Sequence, residues 1–434
     1  MFTATLISTL PKTRIAIVGS GMAGLSTAWL LSRQGCHVTI FEKGSAPGLS
    51  AHSRDFSAFI DSADGPMPGD VPSRMFNASL WPAVTQLYRD AGVEFEPVDS
   101  HQTFSHNSEV LLKVKLPYSS VAMTSVFNAN ARRLLGSLKQ FRAAATDCLQ
   151  GPSSDATTFG DFVSSLPSSE DNTAFLEGFL FPVLTSTVFT CPTKDLLNYP
   201  CFVVLSALRS ITDGNHPLMR TVAGSAHAAN ALLDGVGEVR FNSVVDKVHS
   251  DPASAFVRVG GEDLKFEHVI LATQANHASR LVAEDFPDEA SLLDQFRYTE
   301  VPVTVHTDSS VLPERRNDWG TFNFQRHSHQ TATCTVWMNR FHRQWTTDID
   351  VFHSIFPGEI AAEKVLYSSV LQRPLVDSKS EQLHAALDDL HSRRRNVWFV
   401  GSYASPGVPL LESAVRSSHA LVEKLNAIRS AETV

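Results

Sequence analysis

The stretch RIAIVGSGMAGLSTAWLLSRQGCHVTIFE, residues 14–42, constrains this chain more than any other. Ile15, Ile17 and Val18 form a short apolar run that reads as a buried strand. Gly19, Gly21 and Gly24 follow at G-x-G-x-x-G spacing, with Ser20, Met22 and Ala23 between them. That spacing answers three needs: a tight turn, approach of a pyrophosphate to backbone amides, and close packing of the next helix on the strand. The phosphates would rest on the helix N-terminus, whose first amides have no partner of their own. Leu25, Ala28, Trp29 and Leu31 continue at helical spacing and Gly35 ends the helix. Val38, Ile40 and Phe41 then carry a second strand to Glu42, with Lys43 directly after it. An acid there accepts ribose hydroxyls and disfavours a 2′-phosphate, which leaves NAD or FAD rather than NADP. Glycine triplets alone are weak evidence; strand, glycines, helix and acid within about thirty residues specify a dinucleotide site.

At 434 residues the chain exceeds one ordinary core, and about 100 to 200 residues per domain gives two or three. A net charge of −9 argues against nucleic acid as a partner. No run approaches about 18 uninterrupted apolar residues, so no membrane-spanning helix is expected. The opening MFTATLISTLPK lacks the basic start of a secretion signal, which points to a cytoplasmic protein. Cys36, Cys148, Cys191, Cys201 and Cys334 are scattered without C-x-x-C spacing and read as reduced thiols. His327 and His329 form an H-x-H pair without a third ligand at recognisable spacing, so no metal is expected. The oligomeric state is not encoded in any pattern here.

Along the chain, residues 43–76 are rich in Gly, Pro, Ser and Asp and read as a long loop beside the cofactor, carrying His52 and Arg74. Asp61 and Asp70 offer local partners for Arg74. A helix is expected over 80–92, strands over 93–98 and 110–114, and mainly helix from 130 to 213. The apolar stretches 178–189 and 201–208 read either as helical core or as the lining of a greasy cavity. A helix over 221–233 is followed by short strands, with Gly260 and Gly261 as a hairpin turn and 269–272 as a central strand. Helices over 274–283 and 288–296 precede strands between 301 and 369 that suggest a second, more antiparallel sheet. A helix over 379–394, a buried strand, a glycine turn and a closing helix complete the chain.

Together these pieces resemble the flavin-dependent amine oxidase and phytoene-desaturase-like superfamily, within it a subgroup of NAD/FAD-binding oxidoreductases. The resemblance implies an α/β fold: a Rossmann-like FAD-binding domain from residues 1–79, 221–290 and 391–434. A discontinuous α+β substrate domain, amine-oxidase-like, would come from 80–220 and 291–390. It also implies non-covalent FAD. Val245 stands where relatives present a backbone to the adenine, and VILAT, ending with Ala272 and Thr273, looks like the strand closing the nucleotide domain. Gly401, Ser402 and the helix from Glu412 look like the element that meets the flavin, its dipole favouring negative charge there. There are departures. Relatives commonly carry Gly-Gly where this chain has Gly48 and Leu49, and a glycine where Ser413 or Ser418 stands. Amine oxidases place a lysine near the flavin on the strand that VPVTVHT would supply, and this strand has none.

In such proteins the flavin carries the redox chemistry while the protein orients and insulates the substrate. Tyr403, His52 and Arg74 are the candidates for a catalytic role, and each has a structural alternative as packed aromatic or paired loop residue. The favoured reading is dehydrogenation of a small molecule by hydride transfer, in secondary or lipid metabolism. A hydrophobic substrate competes with a sugar-derived one of the kind found in fungal kojic-acid-type pathways. Redox-neutral double-bond isomerisation of a fatty-acid-like substrate and a non-catalytic flavin-binding protein are the alternatives. No G-x-S-x-G in strand-turn-helix context suggests a serine hydrolase.

Overall fold

A computed structural model describes residues 13–60, 63–106, 109–115, 120–121, 129–151, 157–213, 217–326, 332–393 and 395–432. His327, His329 and Asp61 lie outside the described residues. Five parallel strands form the sheet of the nucleotide half, in the order Glu238–Arg240, His37–Phe41, Arg14–Val18, His268–Leu271, Val397–Phe399. Side chains alternate across a strand, so one run of sequence serves two cores. Ile15, Ile17, Val38 and Ile40 face the helices Met22–Arg33, Gly224–Leu233 and Leu411–Glu432. Ala16, Val18, Phe41 and Leu271 face a three-stranded antiparallel sheet, Val245–Ser250, Ala255–Val259 and Glu262–Phe266, and the helices Ala275–Val282 and Ser380–Ser392. Gly260 and Gly261, with φ of 57° and 87°, make the expected hairpin turn between two of those strands.

The substrate half is built on an eight-stranded sheet ordered Val365–Pro374, Tyr298–His306, Phe352–Ile355, Ala332–Trp337, Phe322–Arg326, His101–His106, Glu109–Lys115, Ser120–Val121. The expectation of a sheet confined to residues 301–369 is therefore corrected. It takes in strands from the first third of the chain, and Phe322–Arg326 runs parallel to His101–His106. Gly320 makes this junction possible, since a Cβ there would stand 2.8 Å from the His101 carbonyl oxygen. His101–His106 and Phe352–Ile355 escape pattern reading because their buried positions include Gln102, Thr103, Ser105, His353 and Ser354, which carry no apolar alternation.

Helices Ala129–Gln150, Phe159–Ser165 and Cys201–Asp213 cover one end of that sheet with a phenylalanine-rich core including Phe141, Phe159, Phe162 and Phe175. Between them, Leu176–Leu180 and Leu184–Val188 widen to π-helical geometry on either side of a short α-helical turn: the Phe189 N–H reaches back five residues to the Leu184 carbonyl. The hydroxyls of Thr185, Ser186 and Thr187 each donate to the carbonyl four residues earlier, at 2.7, 2.5 and 2.6 Å, and so satisfy acceptors that the widened turn releases. Two boundaries move. Residues 218–221 form a strand and the helix begins only at Gly224, whose φ of 75° marks the break. Helix Pro82–Asp90 packs Val84, Leu87 and Tyr88 into the nucleotide core, so a division at residue 79 cuts through that core.

Candidate functional site

The glycine turn is shaped by contacts a side chain would forbid. A Cβ on Gly24 would lie 2.0 Å from the Gly19 carbonyl oxygen, and Gly19 itself has a φ of 99° with Ala272 against it. Gly21 differs: nothing lies within 4 Å of where its Cβ would be. It begins helix Met22–Arg33, which has neither a capping side chain nor an acid in its first turn. The first amides of this helix thus have no capping side chain, and the space beside Gly21 at its start is open, the arrangement that binds anions.

Glu42 is buried and held by three donors. Its Oε2 accepts the Ser20 amide at 2.9 Å and the Ser20 hydroxyl at 2.5 Å, and its Oε1 accepts the Gly44 amide at 2.9 Å. An ionised carboxylate offers about four acceptor sites, so one remains on Oε1. Gly48 closes the other side; its amide donates to Ser20 Oγ at 2.8 Å, and a Cβ there would meet the Gly21 nitrogen at 3.1 Å. Leu49, standing where relatives carry a second glycine, is buried in the core instead. Val245 begins an edge strand of its three-stranded sheet, with a bulge directly after it, so its outer side has no strand neighbour. These residues fit the pyrophosphate, ribose and adenine of a dinucleotide.

From Lys43 a cavity of about 800 Å³ runs into the substrate half. The loop supplies Lys43, His52 and Arg74; the sheet supplies Phe322, Phe324, Val301, Val303 and Arg373; the widened helix supplies Val183, Thr187 and Val188. Both readings of the apolar stretches hold in part, for most of residues 178–208 is core while these three side chains reach the cavity. The strand Tyr298–His306 brings Val301 and Val303 to the cavity wall and contributes no lysine to it. His52 Nδ1 is 2.7 Å from the Tyr367 hydroxyl, over whose ring the Arg54 guanidinium lies at 5.0 Å. Burial, then Arg54 and Arg74, hold the His52 pKa below its ordinary value, so the imidazole is neutral near pH 7. Asp70 is not a partner of Arg74. It accepts from the Ser53 hydroxyl and from the Ser225 amide and hydroxyl.

Three expectations at the C-terminal element are corrected. Tyr403 is fully buried against Phe296, ring centroids 4.9 Å apart, and does not line the cavity. A Cβ on Gly401 would lie 2.5 Å from the Tyr403 ring, so this glycine serves that packing, and neither it nor the adjacent Ser402 lines the cavity. The Glu412 carboxylate caps helix Pro82–Asp90, Oε1 and Oε2 accepting the Ala83 and Val84 amides at 3.0 Å each. Leu410 and Leu411 are what reach the cavity, so helix Leu411–Glu432 does begin at its wall. Ser418, standing where a glycine was expected, links two helices through the Ser26 and Thr27 hydroxyls at 2.8 and 2.9 Å.

Gln274, His277, Thr190 and Arg373 were not singled out from sequence. Arg373 lies beyond the apparent end of its strand, although the alternation runs on to Pro374. No helix among the described residues is long and apolar enough to cross a membrane.

Residues 17–91 match the family model of an NAD(P)-binding Rossmann-like domain. Cyclohexylamine oxidase from Brevibacterium oxydans is 14% identical over 96% of this chain and 100% of its own, with a TM-score of 0.64. The fatty acid isomerase of P. acnes that produces CLA is 14% identical over 95% and 98%, with a TM-score of 0.68. Putrescine oxidase bound to putrescine is 14% identical over 96% and 99%, with a TM-score of 0.64. This chain carries an NAD(P)-binding Rossmann-like domain within the two-part fold that these amine oxidases and the fatty acid isomerase share.

Proposed function

We propose that the protein is an FAD-dependent oxidoreductase that dehydrogenates a small molecule by hydride transfer, acting in secondary or lipid metabolism. One observation carries the reading: the chain that leaves the fixed Glu42 carboxylate, beside the uncapped helix start at Gly21, runs directly into Lys43 at the wall of a large cavity lined mainly by the second half of the fold. Gly21, Met22 and Ala23 would hold the pyrophosphate, Glu42 the ribose through the free site on Oε1, and the outer edge of Val245 the adenine. Helix Leu411–Glu432 begins at the cavity and its dipole favours negative charge there. FAD, when bound, supplies the hydride-accepting chemistry.

The chain's own residues orient the substrate and move one proton. Phe322, Phe324 and Val303 exclude water from the far wall. His52 takes the proton on Nε2, which has no partner among the described residues, while Tyr367 fixes the ring through Nδ1. The strand Tyr298–His306 carries no lysine, the residue that the resemblance to amine oxidases leads one to expect on it, which favours oxidation of a carbon–carbon or carbon–oxygen centre. The absorbance spectrum of the purified protein is the test: flavin bands near the visible blue support the reading, and a colourless, folded protein that takes up no added FAD sinks it. Anaerobic mixing with a substrate then separates net oxidation, with lasting bleaching, from double-bond isomerisation, with product formed and the colour restored.

A further inference from the structure

Arg373 is a half-buried cation without a counter-charge among the described residues. It lines the cavity near the end of strand Val365–Pro374, and among the described residues no Asp or Glu is within salt-bridge distance of it. Glu300, the acid on the same wall, is exposed and pairs in register with Gln372 instead. The groups that act on the guanidinium are the Tyr199 phenol and Cys191 thiol, which burial keeps neutral, and a second cation, Arg74. Burial first, opposed by Tyr199 and reinforced by Arg74, pulls the Arg373 pKa down to about 10, so it stays charged at neutral pH.

A partly desolvated guanidinium with no anion carries a cost that the charge of a bound ligand would offset. The surroundings are built to aim it. Arg373 Nε donates to Thr190 Oγ1 at 2.5 Å, and Thr190, a buried β-branched residue, is held at a φ of 46°, where such residues are rarely found. With Nε engaged, the Nη1 and Nη2 donors remain as a pair, matched to an acceptor with two oxygens. Beyond them the cavity continues along Leu371, Val301, Val303 and Phe324, which offer apolar surface and no hydrogen bond.

We infer that Arg373, aimed by Thr190 and assisted by Arg74, receives the carboxylate of an amphipathic acid whose apolar body lies along the sheet wall. This rests on the reading of the cavity as the substrate site, yet its test is a binding measurement that does not depend on turnover. The full-length protein, its flavin content first recorded by absorbance, is titrated calorimetrically with dodecanoate, methyl dodecanoate, dodecylamine and dodecyl phosphate. Dodecanoate is expected to bind at least about ten-fold more tightly than the ester or the amine. R373M is expected to erase that preference while leaving the ester's affinity unchanged, and R373K to restore part of it. T190V, close in shape to threonine, is expected to weaken dodecanoate by about three-fold or more. Equal binding of acid and ester by the unmodified protein overturns the inference without recourse to any variant. So does an acid preference that survives R373M, and so does tighter binding of dodecyl phosphate than of dodecanoate. A colourless protein that still selects the acid would sink the flavin reading and leave this one standing.

Discussion

In the nucleotide half, the residues that shape the site lie close together in the chain: Gly19, Gly21, Gly24, Glu42 and Gly48 are bound to one another by hydrogen bonds and close backbone contacts. In the substrate half, the cavity is lined by Gln102, Val188, Phe322 and Arg373 among others, drawn from segments up to hundreds of residues apart. The first site is specified by steric necessity at Gly19, Gly24 and Gly48 and by the open approach at Gly21. The second is specified by sheet pairing and volume, and can be relined without altering the fold. The two sites are thus held by different kinds of constraint within one fold, which this chain shares with an amine oxidase and a fatty acid isomerase each 14% identical to it.

The sharpest way to break this comparison is within the glycine turn. G24A drives a methyl group into the Gly19 carbonyl and should cost about 3 kcal/mol with loss of bound flavin. G21A enters open space and should change stability by only about 0.5 kcal/mol while still lowering flavin occupancy. Thermal melts and the ratio of flavin to protein absorbance distinguish the two, and equal destabilisation would refute the assignment of separate roles.

Acid should expose the second half first. His342 and His353 are pulled down to about 3 and His306 to about 4, chiefly by burial, and all three belong to the substrate half. His391, also held near 3 by burial, belongs to the nucleotide half. Each is neutral in the folded chain where the unfolded chain, with histidine near 6.5, already binds a proton. The unfolded state then holds more protons, so stability is full above about pH 6.5 and falls as pH drops toward 3. Hydrogen exchange at pH 5 should show strands 298–306 and 352–355 opening before strands 14–18 and 37–41. The reverse order would contradict the distribution of buried histidines.

Two smaller effects sharpen the boundary between the halves. E412A removes the cap from helix Pro82–Asp90 and should cost about 1 kcal/mol in a thermal melt without reducing flavin content. A colourless E412A protein with an unchanged melting temperature would restore this residue to the cofactor. Y403F deletes a buried hydroxyl that has no hydrogen-bond partner among the described residues, and should shift stability by less than about 0.5 kcal/mol and leave turnover intact.

By itself the sequence determined the nucleotide turn, the strand and helix around it, and the acid at Glu42, because each depends on neighbours a few residues away and on contacts only glycine permits. It also marked the loop that brings His52 and Arg74 to the cavity. Tertiary structure alone decided which of two apolar readings a side chain follows, as with Val188 in the cavity and Phe189 in the core. It turned Glu412 into a cap, gave Gly401 to the ring of Tyr403, and set Thr190 on Arg373 across 183 residues of chain. No local pattern encodes such pairings, since hydrogen-bond partners and buried charges are chosen by packing between segments that the sequence keeps far apart.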